Sequence, residues 1–381
     1  MPPRVVLVVT GSRGEWGYVR PILRRMAERP GLVAKLTATN MHLLPEFGNT
    51  IAEIQRDGFV VDDAIHMALD GYTDTSMTKS LGVFLLSIAD TLNRLRPHFV
   101  LLAGDRGEQL MAALAAAHMN IPVAHVQAGE VSGNIDGQTR HAIARYAHVH
   151  FAANQDAADR LRRTGEQDFR IFNVGAPQLD DFMDGDYLGA AEVYRRFHLR
   201  ADEPVVLFVQ HPVTEQFADA GEQFETSLEA LRRLGLQTVL IYPNNDAGSA
   251  LVRARIARFQ APWLHIERSV ARADYAGLMR VASVMVGNSS SGLLEAPTFE
   301  LPAINIGRRQ DGRMQGANVI NVPHAPDAIE QAVRRALTPE FRNTLKGLPN
   351  PYGDGHAAER IVRTLEEITI DERLLFKALT Y

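Results

Sequence analysis

Val281-Ala-Ser-Val-Met-Val-Gly287-Asn-Ser-Ser-Ser-Gly292-Leu-Leu-Glu295 reads as a strand, a turn and the start of a helix. Val281 to Val286 is short, apolar and rich in β-branched residues, the mark of a buried strand. A helical pattern starts after Gly292, and Pro302-Ala-Ile-Asn-Ile-Gly307 reads as the next strand. A Gly/Ser turn in that setting aims free backbone N–H groups and the positive end of a helix dipole at one spot. The hydroxyls of Ser289 and Ser290 add donors there, beside Gly292, and the spot suits a phosphate or diphosphate. Glu295 lies beyond the turn, placed to accept hydrogen bonds from a sugar diol. The stretch predicts a nucleotide-diphosphate pocket.

Apolar runs alternate with amphipathic helical segments along the whole chain, which predicts parallel α/β sheets. Strands are expected at 4–10, 33–39, 99–103, 123–126, 149–152 and 171–174, with helices such as 107–118 and 156–164. A break falls at Gly175-Ala-Pro177, just before the acidic Asp180-Asp181. The pattern restarts with strands at 205–210 and 238–242, and it closes with strands at 281–287 and 303–307 and a helix from His356. A chain of 381 residues can hold two domains with separate cores. The expected fold class is α/β with two doubly wound domains, residues 1–177 and 178–365.

Composition narrows the function. A net charge of -5 offers no basic field for nucleic acid. There is no cysteine, so disulfides, thiol nucleophiles and cysteine-based metal sites are excluded, which fits a cytoplasmic protein. No apolar run is long enough to span a bilayer. The thirteen histidines include no H-E-x-x-H, and no metal or other cofactor enters the reading.

Ligands of open α/β sheets bind beyond the carboxyl ends of the strands, so those residues are the ones to search. Arg13 follows the first strand in a Gly-rich turn and can reach a phosphate as a bidentate donor. Asp105 and Arg106 follow the strand at 99–103, where the Asp is either a helix cap or an acid–base group. Glu130 and Asp136 stand on a Gly-rich loop after the strand at 123–126. With Asp105 they place three carboxylates at adjoining strand ends, where one can serve as base and another as acid. In the second half His211, Asn244 and Arg309 follow three strands, and cations beside a phosphate turn would neutralise a departing diphosphate. His148 and His150 read as core residues.

The serine turn lacks G-x-S-x-G, which disfavours a serine hydrolase. The chain has no G-x-x-x-x-G-K-[ST], and the first turn is not G-x-G-x-x-G, which disfavours nucleotide hydrolysis and nicotinamide chemistry. A glycosyltransferase, an enzyme acting on the sugar ring and a nucleotide-sugar sensor remain open. The clustered carboxylates argue against the pure sensor.

The chain resembles the hydrolysing UDP-N-acetylglucosamine 2-epimerases of bacterial sialic-acid and related nonulosonic-acid pathways. The likeness runs through Met41-His42-Leu43, Gly104-Asp105-Arg106, Gly129-Glu130-Val-Ser-Gly-Asn-Ile-Asp136, Arg140-His141-Ala142 and Val174-Gly-Ala-Pro-Gln-Leu-Asp180. It continues through His211-Pro-Val-Thr214, Asn288-Ser-Ser-Ser-Gly292, Ile306-Gly-Arg-Arg-Gln-Asp-Gly-Arg313 and Asn350-Pro-Tyr-Gly-Asp-Gly355. The resemblance implies a GT-B architecture, two Rossmann-like domains facing a cleft, with residues 366–381 returning as a helix to the first domain.

It also implies nucleotide binding mainly by the second domain, through Arg13, Arg106, His211, Asn244, Ser289, Ser290, Glu295 and Arg309. Asp105 and Asp136 take acid–base positions, with Glu15 and His42 at the sugar end. The substrate implied is a UDP-linked N-acetylhexosamine, UDP-GlcNAc giving N-acetylmannosamine. A UDP- or GDP-linked diacetamido-trideoxyhexose is the alternative, and a homo-oligomer, dimer or tetramer, is implied as well. The chain departs at Gln127, a position that can carry a catalytic glutamate in this family. Glutamine moves no proton, and Glu130 stands three residues on to take part of that work.

Overall fold

The computed structural model describes residues 2–70, 73–133 and 135–381. Their contacts divide into two units. Unit 1 comprises Met1–Val131, Ile135–Asp184 and Tyr352–Tyr381, and unit 2 comprises Ser132–Asn134 and Gly185–Pro351. Asn134, which falls inside the loop motif quoted above, lies outside the described residues.

Seven parallel strands build unit 1: β1 (Arg4–Thr10), β2 (Leu32–Thr39), β3 (Asp63–Ile65), β4 (Phe99–Ala103), β5 (Val123–Val126), β6 (Val149–Ala152) and β7 (Ile171–Asn173). Their order is β3-β2-β1-β4-β5-β6-β7. Six parallel strands build unit 2: β8 (Val205–Val209), β9 (Gln237–Ile241), β10 (Leu264–Glu267), β11 (Val284–Gly287), β12 (Ala303–Ile306) and β13 (Val319–Val322). Their order is β10-β9-β8-β11-β12-β13. Each sheet is wound outward in both directions from its first strand. The reversals fall between β1 and β4 and between β8 and β11, and in open α/β sheets ligands bind beyond the carboxyl ends at such points.

The period of two along a strand divides each core between the faces of its sheet. Val6 and Val8 pack with the helices Arg13–Ala27 and Ala357–Glu367, whereas Leu7 and Val9 face the helices Asp74–Leu95 and Gly107–His118. In unit 2, Val206 and Phe208 join one cluster, and Val205, Leu207 and Val209 join the other.

The central strands lie within a residue of their expected bounds, with one exception. The strand expected at 281–287 begins only at Val284, because Val281 closes the helix Arg272–Val281. Three strands, β3, β10 and β13, carry no long apolar run. Each sits at a sheet edge and is only partly buried, so its side chains include Asp63, His265 and Asn321. The helix expected after Gly292 is one turn, Ser291–Leu294, followed by a 3-10 turn at Ala296–Phe299 that contains Pro297. Its dipole is correspondingly small.

The closing helix packs in unit 1. Asp180, just after the sequence break at 175–177, accepts the N–H groups of Ala357 and Ala358 at 3.0 and 2.7 Å and so caps that helix. Arg4 at the head of β1 donates to the carbonyls of Leu365 and Ile368 at its far end. The acceptor and the helix it caps therefore share one unit, although 176 residues separate Asp180 from Ala357 in sequence.

Gly287 ends β11 with φ 127°, and a Cβ there would lie 2.0 Å from the carbonyl oxygen of Val209. Gly287→Ala should cost about 2–4 kcal/mol through the positive φ and the overlap. The denaturant midpoint of unit 2 measures this, and an unchanged midpoint would mean that β8 yields to the methyl.

Candidate functional site

In unit 2 the site is built around the Asn288 amide at the β8/β11 reversal. Its Oδ1 accepts the His211 N–H at 2.7 Å, and its Nδ2 donates to the His211 carbonyl at 2.8 Å, which ties the two strand ends together. The Asn288 carbonyl in turn accepts Arg309 Nη1 at 3.3 Å and Gln310 Nε2 at 2.8 Å. His211 Nδ1 accepts the backbone N–H of Asn244 at 3.0 Å. A ring nitrogen that accepts carries no proton, so the proton sits on Nε2, which is a donor. Asn244 also holds Asp246 through its side-chain amide. His211 and Arg309 thus meet at Asn288, the residue before the serine turn, and Asn244 joins them through the His211 ring.

The serine turn has its own support. Ser289 Oγ accepts the Ser291 N–H at 3.4 Å, and the Ser290 carbonyl starts the helical turn by accepting the Leu293 and Leu294 N–H groups. Gly292 is buried, and a Cβ there would lie 3.1 Å from Ala303 Cβ, so it permits close packing on β12. The Tyr275 hydroxyl bonds Ser291 and Ser289, and burial first, then the nearby Glu295 charge, push it well above the usual phenol range. Glu295 is buried and paired with Arg272 at 2.7 Å. Sequence reasoning missed both Arg272 and Tyr275, which follow β10. That edge strand has no apolar run, so nothing in the sequence marks the residues after it as strand-end residues.

In unit 1 Arg140, which is 2% exposed, holds one of the three carboxylates. Its Nη2 pairs with Asp105, and its Nη1 donates to the Gln127 carbonyl at 2.6 Å. Asp136 stands four residues before Arg140 on the helix Ile135–Tyr146, hence on the same face. Glu130 is buried and accepts Asn154 Nδ2 at 2.6 Å, while Asn154 Oδ1 caps the helix Gln155–Arg163. Gln127 is buried in a left-handed conformation (φ 64°) and donates to Gln178 Oε1 at 3.3 Å.

A second cluster lies at the β1/β4 reversal. Arg13 opens the helix Arg13–Ala27, and Arg106 occupies the N-cap of Gly107–His118. Glu108, which the sequence gives no role, is buried and accepts Arg106 Nε at 3.0 Å and Asn40 Nδ2 at 2.9 Å. Glu15 is buried beside it and accepts the Gly11 N–H at 2.5 Å. Burial first, and the Glu108 charge second, raise the Glu15 carboxyl well above the ordinary range; Arg106 and the Gly11 N–H oppose this less strongly. His42 is buried between Thr10 Oγ1 at 2.9 Å and Thr50 Oγ1 at 2.7 Å. Burial, then the Arg13 cation, pushes His42 down to about 3. Both ring nitrogens are engaged, so His42 braces the Arg13 turn rather than presenting a nitrogen to a sugar. His148 and His150 are likewise buried, bonded to the Val123 N–H and to Glu166.

A family model described as UDP-N-acetylglucosamine 2-epimerase matches residues 24–366. The UDP-N,N'-diacetylbacillosamine 2-epimerase (hydrolyzing) of Legionella pneumophila subsp. pneumophila is 36% identical over 380 residues, 99% of this chain and 100% of that protein. A UDP-N-acetylglucosamine 2-epimerase of Neisseria meningitidis serogroup B is 30% identical, over 87% of each chain. Among solved structures, UDP-GlcNAc 2-epimerase from Neisseria meningitidis bound to UDP-GlcNAc superposes with a TM-score of 0.80 at 19% identity, covering 95% of this chain and 99% of that one. The Methanocaldococcus jannaschii UDP-GlcNAc 2-epimerase in complex with UDP-GlcNAc and UDP gives 0.78 at 18%, covering 95% and 99%. At that identity the likeness carries the fold, GT-B with two Rossmann-like domains. No described helix is long and apolar enough to cross a membrane.

The Glu15 carboxyl gives a stability test with a definite sign. A carboxyl raised in the fold contributes stability that is complete below its unfolded value and is lost as pH rises through its folded value. Glu15→Gln has no such loss. Denaturant midpoints of the two proteins should converge near about pH 4 and separate toward neutrality, with the variant the more stable. Parallel curves over that range would contradict a proton on Glu15.

Proposed function

The chain belongs to the UDP-N-acetylglucosamine 2-epimerase family, and from that membership we propose a hydrolysing 2-epimerase that releases UDP and the free 2-epimer from a UDP-linked 2-acetamido sugar. The observation that carries this reading is the meeting of Asp105, Arg140 and the Asp136 face of one helix at the strand ends of unit 1. A diacetamido-trideoxyhexose is the favoured sugar, because the Legionella relative named for such a substrate matches at 36% over the full length. N-acetylglucosamine is second, on the Neisseria relative at 30%.

The C2 hydrogen of a 2-acetamido sugar is scarcely acidic, so the reaction begins at C1. The C1–O pair leaves with the diphosphate. His211 Nε2–H, Arg309 and the N–H groups and hydroxyls of Ser289 and Ser290 stabilise the growing charge. Glu295, oriented by Arg272, accepts from the ribose. Positive charge at C1 then lets the C2–H pair form the C1–C2 double bond as Asp105 or Asp136 takes the proton, which gives a 2-acetamidoglucal. Water adds its oxygen to C1, and a proton returns to the opposite face of C2. Gln127 has no acid or base to offer, so Glu130, held by Asn154, orients that water or supplies the proton.

Incubation in deuterated water with the UDP-linked diacetamido sugar and, separately, UDP-GlcNAc tests the proposal by proton NMR. Free sugar inverted at C2 and deuterated there supports it. Retention of the original C2 hydrogen refutes elimination, and transfer to an acceptor supports a glycosyltransferase instead. Asp105→Asn and Asp136→Asn should each lower kcat by about 10²–10⁴-fold with UDP affinity maintained. Turnover at the wild-type rate removes the substituted residue from proton transfer.

A further inference from the structure

Lys377 is set apart from its surroundings. Its neighbours Leu375, Phe376 and Leu379 are 38%, 79% and 44% exposed, yet its own side chain is only 12% exposed. Its Nζ donates to the carbonyls of Ala144 and, at 2.7 Å, Ala147, and pairs with Glu166 at 2.7 Å. Ala144 lies in the last turn of the helix Ile135–Tyr146, and Ala147 follows it directly. The last carbonyls of a helix have no partner within it, and a cation there satisfies both the hydrogen bonds and the dipole. Lys377 is therefore a C-cap donated from 230 residues away in sequence.

The rest of the tail is fastened so as to deliver it. Arg170 donates to the carbonyls of Arg373, Leu374 and Phe376, and the Thr380 N–H reaches the Gly165 carbonyl at 3.0 Å. The capped helix is the one that carries Asp136 and Arg140, and Arg140 lies one turn before Ala144. A shift at the carboxyl end of a rigid helix is felt at Arg140 and hence at its pair with Asp105.

We propose that Lys377 is a positioning residue: from the C-terminal tail it caps the helix Ile135–Tyr146 and holds Asp136 and Arg140 in place against Asp105. The proposal rests on the acid–base reading of those carboxylates. Glu166, His150, Arg145, Arg170 and His148 surround the ammonium. Burial brings Lys377 down to about 8 despite Glu166. Every group it caps is an acceptor, so the grip weakens as pH rises past that value.

Lys377→Met should lower kcat about 10- to 100-fold, the cost of a small misplacement, with UDP affinity by calorimetry unchanged. Amides of residues 135–147 should exchange faster with deuterated water. Wild-type kcat should fall above about pH 8, and Lys377→Arg, charged throughout, should keep its rate there. A Lys377→Met kcat within twofold of wild type, or an alkaline fall that persists in Lys377→Arg, overturns the proposal. A wild type without 2-epimerase activity sinks the acid–base reading and the catalytic role of Lys377 together. The exchange rates alone still decide whether the tail caps the helix.

Discussion

Every strand pair in both sheets is parallel, and the placement of the chemistry depends on that constraint. Parallel neighbours must be joined by crossovers, so each loop that leaves a strand's carboxyl end emerges at the same edge of its sheet. In unit 1 this gathers the residues after β1, β4 and β5, and in unit 2 those after β8, β9, β11 and β12. The parallel crossovers bring Asp105 and Gln127 to one arginine while leaving 21 residues, which include a helix and a strand, between them in sequence.

The groups gathered there are charged and desolvated, which sets a second requirement. A buried charge is tolerated only where a partner and hydrogen bonds replace the lost water. Arg140 has Asp105 and a carbonyl, Glu295 has Arg272, and Glu108 has Arg106 and Asn40. Such pairs contribute little net stability, and removing one member strands the other, so each pairing fixes an orientation. Asn288 does the same without charge: a single amide specifies the geometry of His211 and, through its carbonyl, of Arg309.

The buried framework was legible in the sequence because a fully covered parallel strand must be an apolar run, and β1, β4, β5 and β6 begin and end where such runs do. The edge strands β3, β10 and β13 were not, since a half-solvated strand of three or four residues need leave no such run; β7, the remaining edge strand, was marked by Ile171, Phe172 and Val174. Arg272 and Tyr275 follow β10 and are unmarked for the same reason, although they support Glu295 and the serine turn. Glu108 was hidden differently. A glutamate in the first turn of a helix is usually a solvated dipole partner, and only the fold shows it closing on Asn40 from another strand end. Nothing in the local sequence marks His42 as sealed between two threonines 8 and 32 residues away.

The passage of the chain from unit 1 through unit 2 and back has a temporal consequence. A ribosome delivers Gly185–Pro351 in full before Tyr352–Tyr381 exists. The helix that covers one face of the first sheet, the backbone donors that Asp180 awaits and the ammonium of Lys377 therefore arrive last. Unit 1 must wait for its last helix as an open sheet with apolar surface uncovered, a state prone to aggregation.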